Sequence, residues 1–193
     1  VAELGDVAER AGISASRLQV LRYEMEQNGA AAEDADTAMT KFNISVGKAR
    51  EGSAATADAL KSLGVNLTTA AGEAKTTEEV LDGVLDGLAN IEDSATRAAI
   101  ASQLFGKEAG AKVAAALRGG SAALREMTDY LRANGKVIDD EAVEAARRLD
   151  DAWDDMADTL WKKFAAAAIY AGNALPNLID AFRELKATTT LLV

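Results

Sequence analysis

A single proline, Pro176, stands in this chain of 193 residues, and no other feature limits the fold as much. Proline is the residue that helix interiors exclude, because it has no N–H to donate and its ring collides with the preceding turn. Nothing of that kind interrupts the sequence before residue 176, and runs of β-branched residues are few. The pattern predicts an all-α protein. Hydrophobic residues make up 49% of the chain, but alanine inflates that share and aromatics supply only 5%. Alanine favours helix while contributing little burial, so the composition points to a thin core. Fully helical, the chain would span on the order of 290 Å. The expected architecture is a series of short helices followed by a long coiled-coil-like helix, extended or oligomeric rather than a compact globule.

Helix boundaries are written in caps and glycines. A first helix closes at Gly12. Ser14 opens a second, with Leu18, Leu21 and Met25 on one face and Asn28-Gly29 as its stop. The third carries Ala35, Met39, Phe42, Val46 and Ala49 at helical spacing and breaks at Gly52-Ser53. A shorter helix ends near Leu63-Gly64, and residues 65–75 read as a loop. Thr76 followed by Glu79 is a capping box, opening a helix whose stripe is Val80, Val84, Leu88 and Ile91, widened by Leu81 and Leu85. Ser94 reads as the cap of the next helix, which presents Ile100, Leu104 and Phe105 and stops at Gly106. A small-residue segment over 109–117 ends at Gly119-Gly120. A helix over 121–133 follows, with Leu124, Met127 and Leu131 apolar, and Asn134-Gly135 ends it. Val137-Ile138 is a short extended linker, and Asp139 caps the last long element. Three segments result: 1–64, a run of short helices; 65–138, a helical block; and 139–193, a long helix kinked near Pro176.

From 140 to about 175 the apolar positions advance in alternating steps of three and four. They are Val143, Ala146, Asp150, Trp153, Ala157, Leu160, Phe164, Ala167, Ala171 and Ala174, with Asp150 the only polar member. Such steps let helices wrap into a left-handed coil. The expected self-association seam is therefore Val143, Ala146, Trp153, Ala157, Leu160, Phe164, Ala167 and Ala171, with Leu149, Met156 and Trp161 beside it widening the apolar face. Packing of the same helix within its own chain is the plainer alternative. Pro176 should end or kink this helix, leaving 177–186 as a second amphipathic piece.

Little in the chain could do chemistry. With no histidine there is no Ser-His-Asp triad and no histidine ligand, and with no cysteine no thiolate chemistry or disulfide scaffold. A net charge of −10 argues against a general nucleic-acid surface. The cluster Asp150, Asp151, Asp154, Asp155 and Asp158 reads as a solvated helix face rather than a metal site or a carboxylate pair, since it lacks a glycine-turn loop. Gly83-x-x-x-Gly87 sits beside Asp82 and Asp86, which removes its membrane-dimer meaning and leaves a tight helix crossing as the expected role. Gly119-Gly120 lacks a phosphate-loop context, and Trp153 and Trp161 read as packing residues. The longest small-apolar run, 164–172, is too short to span a bilayer, and the start of the chain does not resemble a signal peptide. The expectation is a non-enzymatic, soluble protein with no cofactor, no metal and no membrane span.

Two ordered blocks resemble a family. In the first, Ile13-Ser14 precedes Leu18-x-x-Leu21-Arg22-Tyr23-x-x-Glu26-Gln27-x-Gly29. In the second, Thr76-x-Glu78-Glu79 is followed by a connector, an Ala-rich helix ending Leu104-Phe105-Gly106, a Gly/Ala/Lys turn, an aliphatic run and Gly119-Gly120. Over roughly residues 4–158 this order is similar to that of the tail tape measure proteins of long-tailed bacteriophages. The resemblance implies a structural virion protein that sets tail-tube length during assembly. It also implies a homo-oligomer, commonly a parallel trimer, held in the tube lumen or docked at the tail tip, and ejected ahead of the genome. The tail tube protein and tail-tip, distal-tail or hub proteins are the implied partners, without specific nucleic-acid binding. Made in the bacterial host cytoplasm, such a protein belongs to the phage tail. A ruler for a long tail needs many more residues than these, so the chain reads as a piece of something longer or an unusually short member. A soluble helical adaptor or oligomerisation module is the competing reading.

Overall fold

The computed structural model describes residues 2–171, with side chains over 3–163. The helices are α1 (Ala2–Ala11), α2 (Ala15–Gln27), α3 (Ala32–Arg50), α4 (Ala54–Ser62), α5 (Thr77–Ala89), α6 (Ser94–Phe105), α7 (Lys107–Ala116), α8 (Gly120–Ala133) and α9 (Asp140–Ala171). Among the described residues the only extended pairing is an isolated antiparallel bridge, Thr68 to Ala74, in the loop before α5. The protein is all-α, as its sequence predicts. The expected kink at Pro176 and the amphipathic piece over 177–186 lie outside the described residues.

Local chemistry sets most boundaries. The Ser14 hydroxyl accepts from the Arg17 N–H at 3.2 Å. Thr76 and Glu79 form the reciprocal box, at 3.2 Å and 2.6 Å. One start differs from expectation: Ser94 lies within α6, and the cap is its neighbour Asp93, whose carboxylate accepts the Thr96 N–H at 2.7 Å. Counting from Asp93, Thr96 is the third residue on, where a capping side chain finds an orphan donor. At the other ends, α1, α2, α3, α4 and α8 all close alike, with the residue after a glycine donating five positions back. Ile13 to Ala8 (3.1 Å) and Lys136 to Leu131 (2.9 Å) are examples. That geometry needs a left-handed residue, supplied at Gly12 with φ 67° and at Gly135 with φ 64°.

Residues Glu3–Val143 form one compact unit, although composition alone pointed to a thin core. Long side chains do the central packing: Leu18, Leu21 and Met25 of α2, Met39 and Phe42 of α3, and Leu81 and Leu85 of α5 are fully buried. Phe42 and Phe105 stack with ring centroids 4.9 Å apart. Small residues then let helices close in around this centre. A Cβ on Gly110 of α7 would lie 2.5 Å from the Ser102 backbone of α6. Gly83 and Gly87 of α5 make room not for a second helix but for the turn after α4, where added Cβ atoms would meet Val65 at 3.3 Å and Leu63 at 2.7 Å. Alanine-rich helices thus build a core by close approach as much as by bulk.

A second unit begins at Glu144. Its described part is the body of α9, a single helix that starts at Asp140 and continues through the described residues to Ala171.

Candidate interaction surface

Helix α5 is organised by three carboxylates one turn apart. Glu78, Asp82 and Asp86 lie at i, i+4 and i+8 on a helix whose other faces carry the buried Val80, Val84 and Leu88 and the two close-packed glycines. Each carboxylate reaches a different target. Glu78 accepts the Ser14 N–H at 2.6 Å, at the start of α2. Asp82 pairs with Arg17 of α2 and, at 3.3 Å, with Arg125 of α8. Asp86 accepts the Ser121 N–H at 2.7 Å and its hydroxyl at 3.0 Å, capping α8, whose Gly119 has no side chain for that role. Ser121 is buried. One acidic row therefore ties α5 to two helix N-termini, where orphan N–H groups and the helix dipole favour negative charge. A fork between Arg22 and Asp36, at 2.7 Å and 2.8 Å, joins α2 to α3 in the same manner.

A second set of polar bonds fastens the α8–α9 connection to α2. Gln19 exchanges two hydrogen bonds with the backbone of Ile138, each at 2.9 Å. Asp140 accepts from the Ser16 N–H and the Ser16 hydroxyl, both at 2.8 Å. Arg132 donates to the same hydroxyl at 3.3 Å. None of Ser16, Gln19, Asp82, Asp86 or Asp140 stood out in the sequence for this work. The available signal was the regular four-residue spacing of acids on a helix with an apolar opposite face.

Along α9, large apolar side chains face outward. Leu149 is 64% exposed, Met156 45% and Trp153 38%. With the half-buried Leu160 they advance by four, three and four residues, so they share one face of the helix. Of the seam expected from sequence, Trp153 is exposed, Ala146, Ala157 and Leu160 are half-buried, and Val143 is buried within the Glu3–Val143 unit. The side chains of Phe164, Ala167 and Ala171 lie outside those described. Asp150, Asp151, Asp154, Asp155 and Asp158 are exposed. Among the described residues no three carboxylates converge as a metal site, and no helix is long and apolar enough to cross a membrane.

The model of a protein family described as "Phage-related minor tail protein" matches residues 1–106, more than half of the chain and the part that builds α1 to α6. No curated protein and no solved structure matches it.

Proposed function

The chain belongs to the phage-related minor tail protein family, and from that premise we propose that it acts as a tape measure, setting the length of the tail tube. Family membership makes it a structural component of the phage tail. The observation that carries the finer reading is α9: a helix of 32 residues converts residue number into distance at a fixed rise, about 48 Å for this element. Repeated along a longer chain, such helices would give a length that assembly can count in rings of tube subunit.

In this reading copies of the chain lie parallel, three being the expected number, and associate through α9. Ala146, Trp153 and Leu160 supply one row of the seam. The second row is either Val143, Ala157 and Phe164, as the sequence pattern has it, or Leu149 and Met156. The latter pair is favoured by its size and exposure, and by leaving Asp150 off the contact. The tube wall and the tail-tip or hub proteins are the remaining partners, and the compact helical unit over Glu3–Val143 is suited to docking rather than to measuring.

In-frame deletion tests the ruler directly. Removing residues 157–163 takes out one heptad, keeps the three-four pattern in step and shortens the rod by about 10 Å. Deleting one to four heptads of α9 in the parent gene, as many as its 32 residues hold, should shorten tails in discrete ring-sized steps when they are measured by electron microscopy. Tails of full length across the whole series would assign this segment to docking or adaptor work instead.

A further inference from the structure

We propose that the segment from Asn134 to Val143 is a latch that opens from α2 as one cooperative unit while the core beneath stays closed. Its fastening is mainly polar, with Val137 packed, partly buried, against the core. The two Gln19 bonds to Ile138 and the two Ser16 bonds to Asp140 hold it, while Val143 is the only side chain of the segment that is fully buried. Ile138 itself is 41% exposed. Segments with few buried apolar contacts and exposed backbone hydrogen bonds sit at the low end of local stability and open without global unfolding.

The hinge is built in. The backbone N–H groups of Asn134, Gly135 and Lys136 bond backward, to Tyr130, Arg132 and Leu131 in the last turn of α8, and only the Lys136 ammonium reaches across, 6.0 Å from the centre of the Tyr23 ring of α2. Gly135 has open space around it and a left-handed backbone. Rotation there would lift Ile138, Asp140 and Val143 together and leave α8 capped. On the other side, Ser16 is the second residue of α2, so its N–H has no partner within its own helix. Asp140 supplies that partner from across the latch. Opening therefore frees the start of α9 and uncovers a donor set on α2, the Ser16 N–H and hydroxyl and the Gln19 amide. This device does not depend on the ruler reading, since it concerns contacts within the Glu3–Val143 unit alone.

Two amide protons report the latch: those of Ser16 and Ile138, each bonded to a side chain across it. In native-state hydrogen exchange on the full chain, both should exchange at a common rate, well ahead of core amides such as those of Leu85 and Val84, and with little response to low urea. Cooperativity is tested by crossed substitutions. Gln19→Ala removes the partner of Ile138, and should speed the Ser16 amide about three- to tenfold. Ser16→Ala keeps its own amide but loses a bond to Asp140, and should speed the Ile138 amide likewise. Exchange of both amides at the rate of the core would overturn the proposal. So would substitutions that affect only the amide they touch, because the two clasps would then open separately.

Discussion

Asp82 sits between guanidinium groups from two helices, and Arg17 depends on it more than Arg125 does, its side chain being far less exposed. Asp82→Ala leaves Arg17 without this partner, and should cost about 1–3 kcal/mol, the range for bonds to charged groups. Asp86→Ala uncaps α8 and strands the N–H of buried Ser121, for about 1–2 kcal/mol. Urea midpoints should fall in both variants with the slope unchanged. Carboxylates also set the response to acid. Asp34 is held below the usual range by Lys112 and then by the Ala31 N–H, and Glu79 by the Thr76 N–H and hydroxyl. Thr96 does the same for Asp93, through its side chain and its N–H. A depressed carboxyl stabilises the fold above its unfolded pKa of about 4, and the contribution is lost as pH falls through the lower folded value. Glu24, raised by desolvation, has the opposite sign, and acid relieves its cost. The depressed groups outnumber it, so the urea midpoint should drop once pH goes below about 4. Glu79→Gln should flatten that drop, whereas Glu24→Gln should raise the midpoint at neutral pH and leave the acid limb in place.

Elements were legible in this sequence to the extent that their signals are local. Gly12, Ser14, Asn28-Gly29, Thr76 with Glu79, Gly106 and Asn134-Gly135 mark ends within a residue or so of where the helices stop, because caps and left-handed glycines act over one turn. The apolar faces of α2, α3 and α5 were equally plain. What faces each helix was not, since Glu78 meets Ser14 and Asp140 meets Ser16 across separations of 64 and 124 residues. Even the slip from Asp93 to Ser94 is of this kind, as adjacent polar residues offer the same cap and only geometry selects one. Glycines make the point testable. Gly110 and Gly47 both lie within helices, yet a Cβ at Gly110 would meet the Ser102 backbone at 2.5 Å while Gly47 has nothing within 4 Å. Gly110→Ala should therefore destabilise by about 1–3 kcal/mol through forced separation of α6 and α7. Gly47→Ala should stabilise by about 0.5–1 kcal/mol by restricting the unfolded chain. Thermal unfolding of the two variants should move in opposite directions.

At the scale of the whole molecule the open question is what meets the outward face of α9, and the two candidate rows of the seam make it decidable. Both share Ala146, Trp153 and Leu160, so Leu160→Asp should weaken self-association in either register, a buried unpaired carboxylate costing several kcal/mol in principle. The rows part at adjacent positions, Leu149 and Asp150. If Leu149 and Met156 form the contact, Leu149→Asp should dissociate the oligomer as effectively as Leu160→Asp, and Asp150→Leu should change little. If the row is Val143, Asp150 and Ala157, replacing Asp150 by leucine removes the one polar member and should tighten association, while Leu149→Asp acts only weakly from the flank. Sedimentation velocity over a concentration series on the wild type and these three variants distinguishes the registers. A wild type that stays monomeric throughout would instead make the exposed Leu149, Trp153 and Met156 a surface for a different tail protein. Parallel copies would then have to be held in line by the tube rather than by one another.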